Sequence, residues 1–262
     1  MNTNSNVYTV IYTTVIVVVV AAVLAFVAMS LKPKQQANIK AETLSQMMAA
    51  AQLGEKDELS ALGNEEVLRK YAENIDKAFT VNLKGEKVAD LGTAFENIEL
   101  VDNLKPQDKA IDAGGDATLP VYVFKSGVTV VPVYGAGLWG PVWGYVAFQG
   151  DNRTIAGAYF DHESETPGLG AKIKDEPWFR GKFIGKKALF GENGIFNLSK
   201  NAEAEGADNA VDAITGATMT SKGLNEAINT WLKAYEPYFT AASAPAEEVP
   251  AEEAATEKTE EE

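Results

Sequence analysis

Cysteine is absent from all 262 residues, and histidine occurs once, as His162. Without thiols the chain can build no disulfide, no iron–sulfur cluster and no zinc–thiolate site of its own. A single imidazole also excludes a multi-histidine metal centre, so no metal site is expected. Positive charge is scarce: 23 Lys and Arg stand against 37 Asp and Glu, for a net charge of −14. An acidic body of this kind is a poor partner for nucleic acid. One histidine without a paired nucleophile is a poor basis for a catalytic triad. No motif for binding NADH is recognisable, no repeat of domain-building length occurs, and no catalytic residue is assigned.

Charge is missing altogether from the N-terminus. Val7 to Met29 reads VYTVIYTTVIVVVVAAVLAFVAM, and the first charged side chain is Lys32. At about 1.5 Å per residue such a run crosses a hydrocarbon core of roughly 30 Å as a helix. A cleaved signal peptide is the competing reading. The absent basic leader and the length of the apolar run favour a retained anchor. Lys32, Lys34 and Lys40 follow the span. By the positive-inside rule they would hold the following domain in the cytoplasm, but long domains are translocated despite such charges. Charge alone leaves the side open.

Aromatic residues are missing from the C-terminus, where none follows Phe239. Residues 241–262 carry eight Glu and one Lys, half of the chain's net charge. Such a segment cannot bury enough apolar surface to fold and is expected to be disordered.

Between these ends the chain is long enough for one large domain or two small ones. Residues 34–77 read as mostly helical, in IKAETLSQMMAAAQL and NEEVLRKYAENIDKAF, punctuated by Gly54 and Gly63. Short alternating stretches and loops are expected from Ala78 to Gly114, with KAFTVNLKGEKVAD the best strand candidate. LPVYVFKSGVTVVPVYG reads as two strands about Ser126-Gly127, and VWGYVAFQGDNRTIAGAYFDH as two more about Gly150 to Arg153. Their alternation is partial, as in strands covered on both faces. GAKIKDEPWFRGKFIGKK is expected to be partly helical, and ALFGENGIFNLSK to form another strand pair. Leu224, Ala227, Ile228, Trp231, Leu232 and Tyr235 make one apolar stripe of a helix expected to begin at Ser221.

Three stretches could carry chemistry. DAITGATMTS, Asp212 to Ser221, concentrates four hydroxyls ahead of that helix. A phosphate near Thr218 would meet the unpaired N–H groups and positive partial charge of a helix N-terminus, beside the uncrowded backbone of Gly216 and Ala217. Equally, Thr218, Thr220 or Ser221 could serve simply as an N-cap. HESETPGLGAKI, His162 to Ile173, places Pro167-Gly168 in a type II turn. There Gly168 and Gly170 would let backbone approach a flat ligand, and Thr166 could bond its polar edge. The same stretch also fits an ordinary tight surface turn, with His162 at a strand end. GAGLWGPVWG, Gly135 to Gly144, offers Trp139 beside Leu138 as a stacking surface; Trp143 fits a core position better.

Taken in order, the span, LPVYVFK, GAGLWGPVWGYVAF, TIAGAYFDHESETPGLGAKI, FRGKFIGKK and DAITGATMTS with its helix resemble the NqrC family, which belongs to the sodium-translocating NADH:quinone reductase. The resemblance covers roughly residues 7 to 235. It departs at Thr215, often Ser in that family, and in HESETPGLG, which carries one extra residue after the histidine; His162 is therefore given no role.

The resemblance implies an α+β fold: a single N-terminal transmembrane helix, then a soluble domain with a twisted, mainly antiparallel sheet flanked by helices. It divides the chain into an N-terminal segment with the transmembrane helix (1–31), a membrane-proximal α/β region (32–118), an FMN-binding domain (119–240) and the acidic tail (241–262). It further implies covalent FMN, esterified through its phosphate to Thr218. A flavin transferase would install it from FAD, recognising Asp212. The implied cofactor-binding residues are Leu138, Trp139, Glu165, Thr166, Gly168, Leu169, Gly170, Thr215, Gly216, Ala217, Thr220 and Ser221. The implied function is electron transfer, with the other subunits of the membrane complex as partners and the chain inactive alone. The implied location is the bacterial inner membrane, single-pass, with the soluble domain on the periplasmic face. The homologous flavin-bearing member of an Rnf-type ferredoxin:NAD complex is the alternative within flavoproteins, and an anchored non-redox binding protein the alternative outside them.

Overall fold

The computed structural model describes residues 6–94, 97–191, 194–202 and 206–242. The acidic tail beyond residue 242 lies outside the described residues.

The first helix, α1 (Asn6–Ala50), is continuous through Pro33. Its N-terminal part meets no other element among the described residues, and burial begins at Ala41. This is a helix long and apolar enough to cross a membrane. Three of its hydroxyls bond within the helix: Thr13 donates to the Thr9 carbonyl (2.6 Å), Thr14 to Val10 (2.8 Å) and Ser30 to Phe26 (2.9 Å). That bonding removes the cost of placing them in an apolar medium. The C-terminal turns of α1 belong to the soluble domain, so apolar segment and domain share one uninterrupted helix.

Two short helices follow, α2 (Lys56–Ala61) and α3 (Asn64–Asn74), separated at Gly63. The helical pattern was expected to run on to about Lys77. Instead β1 (Ile75–Val81) starts directly after Asn74 and pairs with β2 (Lys87–Asp90) and with β3 (Leu119–Phe124). Cross-strand pairing overrides a helical pattern that no glycine or proline interrupts. The stretch expected to hold only loops and short strands contains α4 (Val101–Asp112), with Pro106 inside it. Only Leu104 of this helix is fully buried, and the proline inside it hides the helix from a local reading.

The remaining strands of the sheet are β4 (Thr129–Ala136), β5 (Pro141–Phe148) and β6 (Ile155–His162), joined by hairpins where the turn residues place them. One antiparallel sheet results, in the order β2-β1-β3-β4-β5-β6. It draws strands from both sides of residue 119. Beyond it come α5 (Lys172–Asp175), α6 (Pro177–Gly181), β7 (Asn197–Ser199), β8 (Ala210–Asp212) and α7 (Thr218–Ala242). ALFGENGIFNLSK does not form the expected strand pair among the described residues. Its one strand, β7, pairs in parallel with β8, a partner outside the stretch.

Both faces of the sheet are covered. On one, Val131, Val133, Val142, Val146 and Phe148 pack against Leu224, Ile228, Trp231, Leu232 and Tyr235 of α7. On the other, Tyr122, Val130, Tyr145 and Tyr159 pack against Leu44, Met47 and Met48 of α1 and Tyr71 of α3. Alternate residues of β4 and β5 thus enter different cores, which explains their near-continuous apolar runs.

α7 lies unusually close to the end of β4. A Cβ on Gly223 would stand 2.1 Å from the Ala136 carbonyl oxygen, and one on Gly135 would stand 2.7 Å from Cβ of Ala227. The small residues let the first turns of α7 sit directly on the hairpin between β4 and β5, which brings the three chemistry-bearing stretches together.

Candidate functional site

DAITGATMTS spans the end of β8, a tight turn and the first turn of α7. The Ala217 N–H donates to the Ile214 carbonyl (3.0 Å), and Gly216 takes a left-handed φ of 85°. The helix begins at Thr218, three residues earlier than its apolar stripe suggested. Ser221 N–H donates to the Ala217 carbonyl at 2.9 Å, so the first turn is closed before Ser221.

The four hydroxyls separate into two classes. Ser221 is buried, and its Oγ accepts from the Ile214 N–H at 3.2 Å, which fixes the preceding turn. Thr220 is buried and donates to Glu165 Oε2 at 2.6 Å. Thr215 and Thr218 are exposed, and neither side chain has a hydrogen-bond partner among the described residues. The buried pair therefore bonds to groups other than the helix's own first N–H groups, and an N-cap role falls away. Of the two free hydroxyls, Thr218 sits on the first residue of the helix, where the unpaired N–H groups and positive partial charge lie. Thr215 instead faces a pocket of about 290 Å³ that it lines with Asp212, Lys172, Trp178 and Lys182.

HESETPGLGAKI forms the loop from β6 to α5. The Leu169 N–H donates to the Thr166 carbonyl (3.1 Å), and Gly168 has φ 75°, the turn that Pro167-Gly168 anticipates. Thr166, Gly168 and Leu169 are exposed at its tip. Glu165 points inward and is 5% exposed. Its Oε1 accepts from the Trp139 N–H (2.9 Å) and its Oε2 from Thr220. Both oxygens accept, as a carboxylate requires. Gly170 leaves the room: a Cβ there would stand 2.4 Å from Glu165 Oε2 and 2.5 Å from Thr220 Oγ1.

The hairpin between β4 and β5 supplies the third wall. Gly137 N–H closes on the Gly140 carbonyl at 2.8 Å, which leaves Leu138 and Trp139 at the tip, 50% and 66% exposed. Trp143, by contrast, is half-buried and packs against both cores. Ser164 Oγ donates to the Trp139 carbonyl at 2.9 Å, so loop and hairpin are tied by both Ser164 and Glu165. Ser164 belongs to the segment that carries the extra residue. Its role is invisible in sequence, because its partner lies 25 residues away. His162 likewise has a function that its isolation hid: its Nδ1 accepts from the Glu165 N–H at 3.1 Å and holds the start of the loop.

Met219, 55% exposed, and Leu169, 44% exposed, join Leu138 and Trp139 as exposed apolar side chains on these walls. A free hydroxyl at a helix N-terminus therefore stands among exposed apolar side chains and turn backbone. Such surroundings suit a planar, amphipathic ligand bearing an anionic group.

A family model described as an FMN-binding domain matches residues 137–233, which take in the loop, the helix start and most of the hairpin. The NqrC chain of the Na(+)-translocating NADH-quinone reductase of Pasteurella multocida is 30% identical over 233 residues, covering 83% of this chain and 86% of the relative. The chain belongs to the NqrC family. The corresponding protein of Neisseria meningitidis serogroup A is similar to the same degree, at 30% identity over 83% of this chain and 86% of its own length. Among solved structures, the NqrC of Parabacteroides distasonis superposes with a TM-score of 0.66 at 33% identity, covering 80% of this chain and 97% of that one. NqrC of Shewanella oneidensis gives a TM-score of 0.61 at 27% identity, over 79% and 99%. The likeness to NqrC is thus one of whole domains, well beyond the 97 residues of the FMN-binding match.

Proposed function

We propose that this NqrC-family chain is the FMN-carrying electron-transfer component of a sodium-translocating NADH-quinone reductase, with the flavin held covalently through its phosphate on Thr218. Family membership supports the cofactor and the complex. The observation that carries the attachment point is the division of the hydroxyls: Thr220 and Ser221 are buried and engaged, while Thr218 is exposed on the first helical residue.

The residues present fit the group. A phosphodiester keeps one negative charge, and the first turn of α7 would stabilise it by about 0.3–1 kcal/mol. Leu138, Trp139 and Leu169 offer apolar surface for a tricyclic ring, and Thr166 a hydroxyl for its polar edge. Gly168, Gly170, Gly216 and Ala217 keep the surrounding backbone close and uncrowded. Glu165 acts beneath this surface, locking Trp139 and Thr220 in place. Bound FMN supplies one- and two-electron redox chemistry; the chain supplies position and electrostatics.

Attachment exchanges the phosphoanhydride linkage of FAD for a phosphoester on Thr218. The Thr218 oxygen bonds to the flavin-side phosphorus of FAD, the pyrophosphate P–O bond breaks, AMP leaves with its electron pair, and the hydroxyl proton is released. A flavin transferase performs the step and reads Asp212. The apolar part of α1 anchors the chain in the bacterial inner membrane, and the soluble domain lies on the periplasmic face. A cysteine-free chain without a nicotinamide motif depends on neighbouring subunits for its electrons.

Co-expression with a flavin transferase tests the reading. The wild-type chain should give a fluorescent band after denaturing electrophoresis, and Thr218→Ala a folded, colourless domain. A fluorescent Thr218→Ala band would refute attachment at Thr218.

A further inference from the structure

Asp161, the penultimate residue of β6, is a carboxylate only 3% exposed. Burying an ionised carboxylate costs several kcal/mol unless it is paired and hydrogen-bonded. Its partners come from three different places. Gln46 of α1 donates through Nε2 to Oδ2 at 2.7 Å. Lys174 of α5 stands 2.8 Å from Oδ1. The backbone N–H of His162, at the start of the loop, donates to Oδ1 at 2.7 Å.

These partners bracket the loop from residue 163 to 171. His162 is its first fixed point, and Lys174 lies in the helix that ends it. From His162 the bonding continues inward: its Nδ1 holds the Glu165 N–H, and the Glu165 carboxylate holds Trp139 and Thr220. Gln46 adds the third limb. It is itself buried, 3% exposed, on the same uninterrupted helix whose other end is the apolar span.

We propose that Asp161 is a positioning residue that clasps both ends of the 163–171 loop and ties it, through Gln46, to α1. The proposal rests on the reading of Thr218 and its surroundings as the flavin site. Asp161 is where the flavin loop and the membrane helix share a carboxylate. An amide at position 46 suits this role, because a carboxylate there would repel Asp161. In Asp161→Asn the shape is kept, but Lys174 loses its counter-charge, and the new NH₂ meets a donor unless the Gln46 amide turns over.

The experiment uses the full chain in lipid nanodiscs, both with and without FMN attached. Asp161→Asn and Gln46→Met, the latter removing only the limb to α1, are compared with wild type by peptide-resolved hydrogen exchange and by flavin fluorescence anisotropy. Asp161→Asn should speed exchange in residues 162–171 by roughly tenfold or more, as expected for loss of a charged hydrogen bond. Exchange in β3 and β4 should stay unchanged, and flavin anisotropy should fall. Gln46→Met should change both readouts in the same direction. If Asp161→Asn does not fold, Gln46→Met decides. Unchanged loop exchange and anisotropy in a folded variant would overturn the proposal, as would faster exchange spread evenly over the sheet. Absence of flavin on the wild-type chain would instead count against the flavin reading, since the exchange measurement needs no cofactor.

Discussion

Thr220 Oγ1 lies 2.6 Å from Glu165 Oε2, a bond between residues 55 apart in sequence that closes the loop after β6 onto the first turn of α7. The same carboxylate holds the Trp139 N–H. One side chain therefore sets the mutual position of hairpin, loop and helix. Thr220→Val keeps the shape and removes the donor, leaving a buried carboxylate oxygen unpaired. The expected cost is about 1–3 kcal/mol, read as a lower thermal midpoint, while FMN attachment persists because Thr218 is untouched. Loss of attachment with an unchanged midpoint would contradict the division of labour between the two threonines.

Gly223→Ala tests how α7 is seated. The added Cβ would meet the Ala136 carbonyl oxygen at 2.1 Å, a backbone atom that cannot step aside without moving β4. Overpacking of this kind costs about 1–3 kcal/mol. Equilibrium denaturation should show the loss, and Trp139 fluorescence should report a displaced hairpin. A variant as stable as the wild type would mean that α7 does not press on β4.

Much of the fold is legible in the chain. The uncharged N-terminal run, the hairpin turns at Ser126-Gly127 and Gly150 to Arg153, and the stripe from Leu224 to Tyr235 all rest on local periodicity. Local pattern misleads where distant partners decide. Nothing local stops a helix at Asn74; the pairing of β1 with β3 does. Pro106 and a single fully buried residue conceal α4. β7 pairs with a strand beyond its own stretch. At the site, sequence supplies the four hydroxyls but not which are free, because Thr220 and Ser221 are engaged by Glu165 and by the backbone of Ile214.

Alkaline pH should destabilise the soluble domain. Burial raises the phenols of Tyr71, Tyr122, Tyr159 and Tyr235 above their ordinary value of 10.0, since the phenolate cannot be solvated in the core. In the unfolded chain they ionise near that ordinary value. The stability they contribute is therefore complete below about pH 10 and is lost as pH rises beyond it. Phenolate absorbance should appear for these residues only as the domain unfolds. Their ionisation in a still-folded domain would contradict their burial.

Topology is open to reporter fusions ending after Lys40 and after Tyr238. With the N-terminus inside, both should be active only in the periplasm. Activity confined to the cytoplasm would return the decision to Lys32, Lys34 and Lys40.

The most direct measurement is peptide mass spectrometry of the chain co-expressed with a flavin transferase, across the peptide containing Asp212 to Ser221. One added FMN is expected, with fragment ions assigning it to Thr218 and leaving Thr215, Thr220 and Ser221 unmodified. FMN mass on Thr215 or Thr220 with Thr218 bare, or no FMN on this peptide at all, would contradict the assignment of Thr218 as the attachment point.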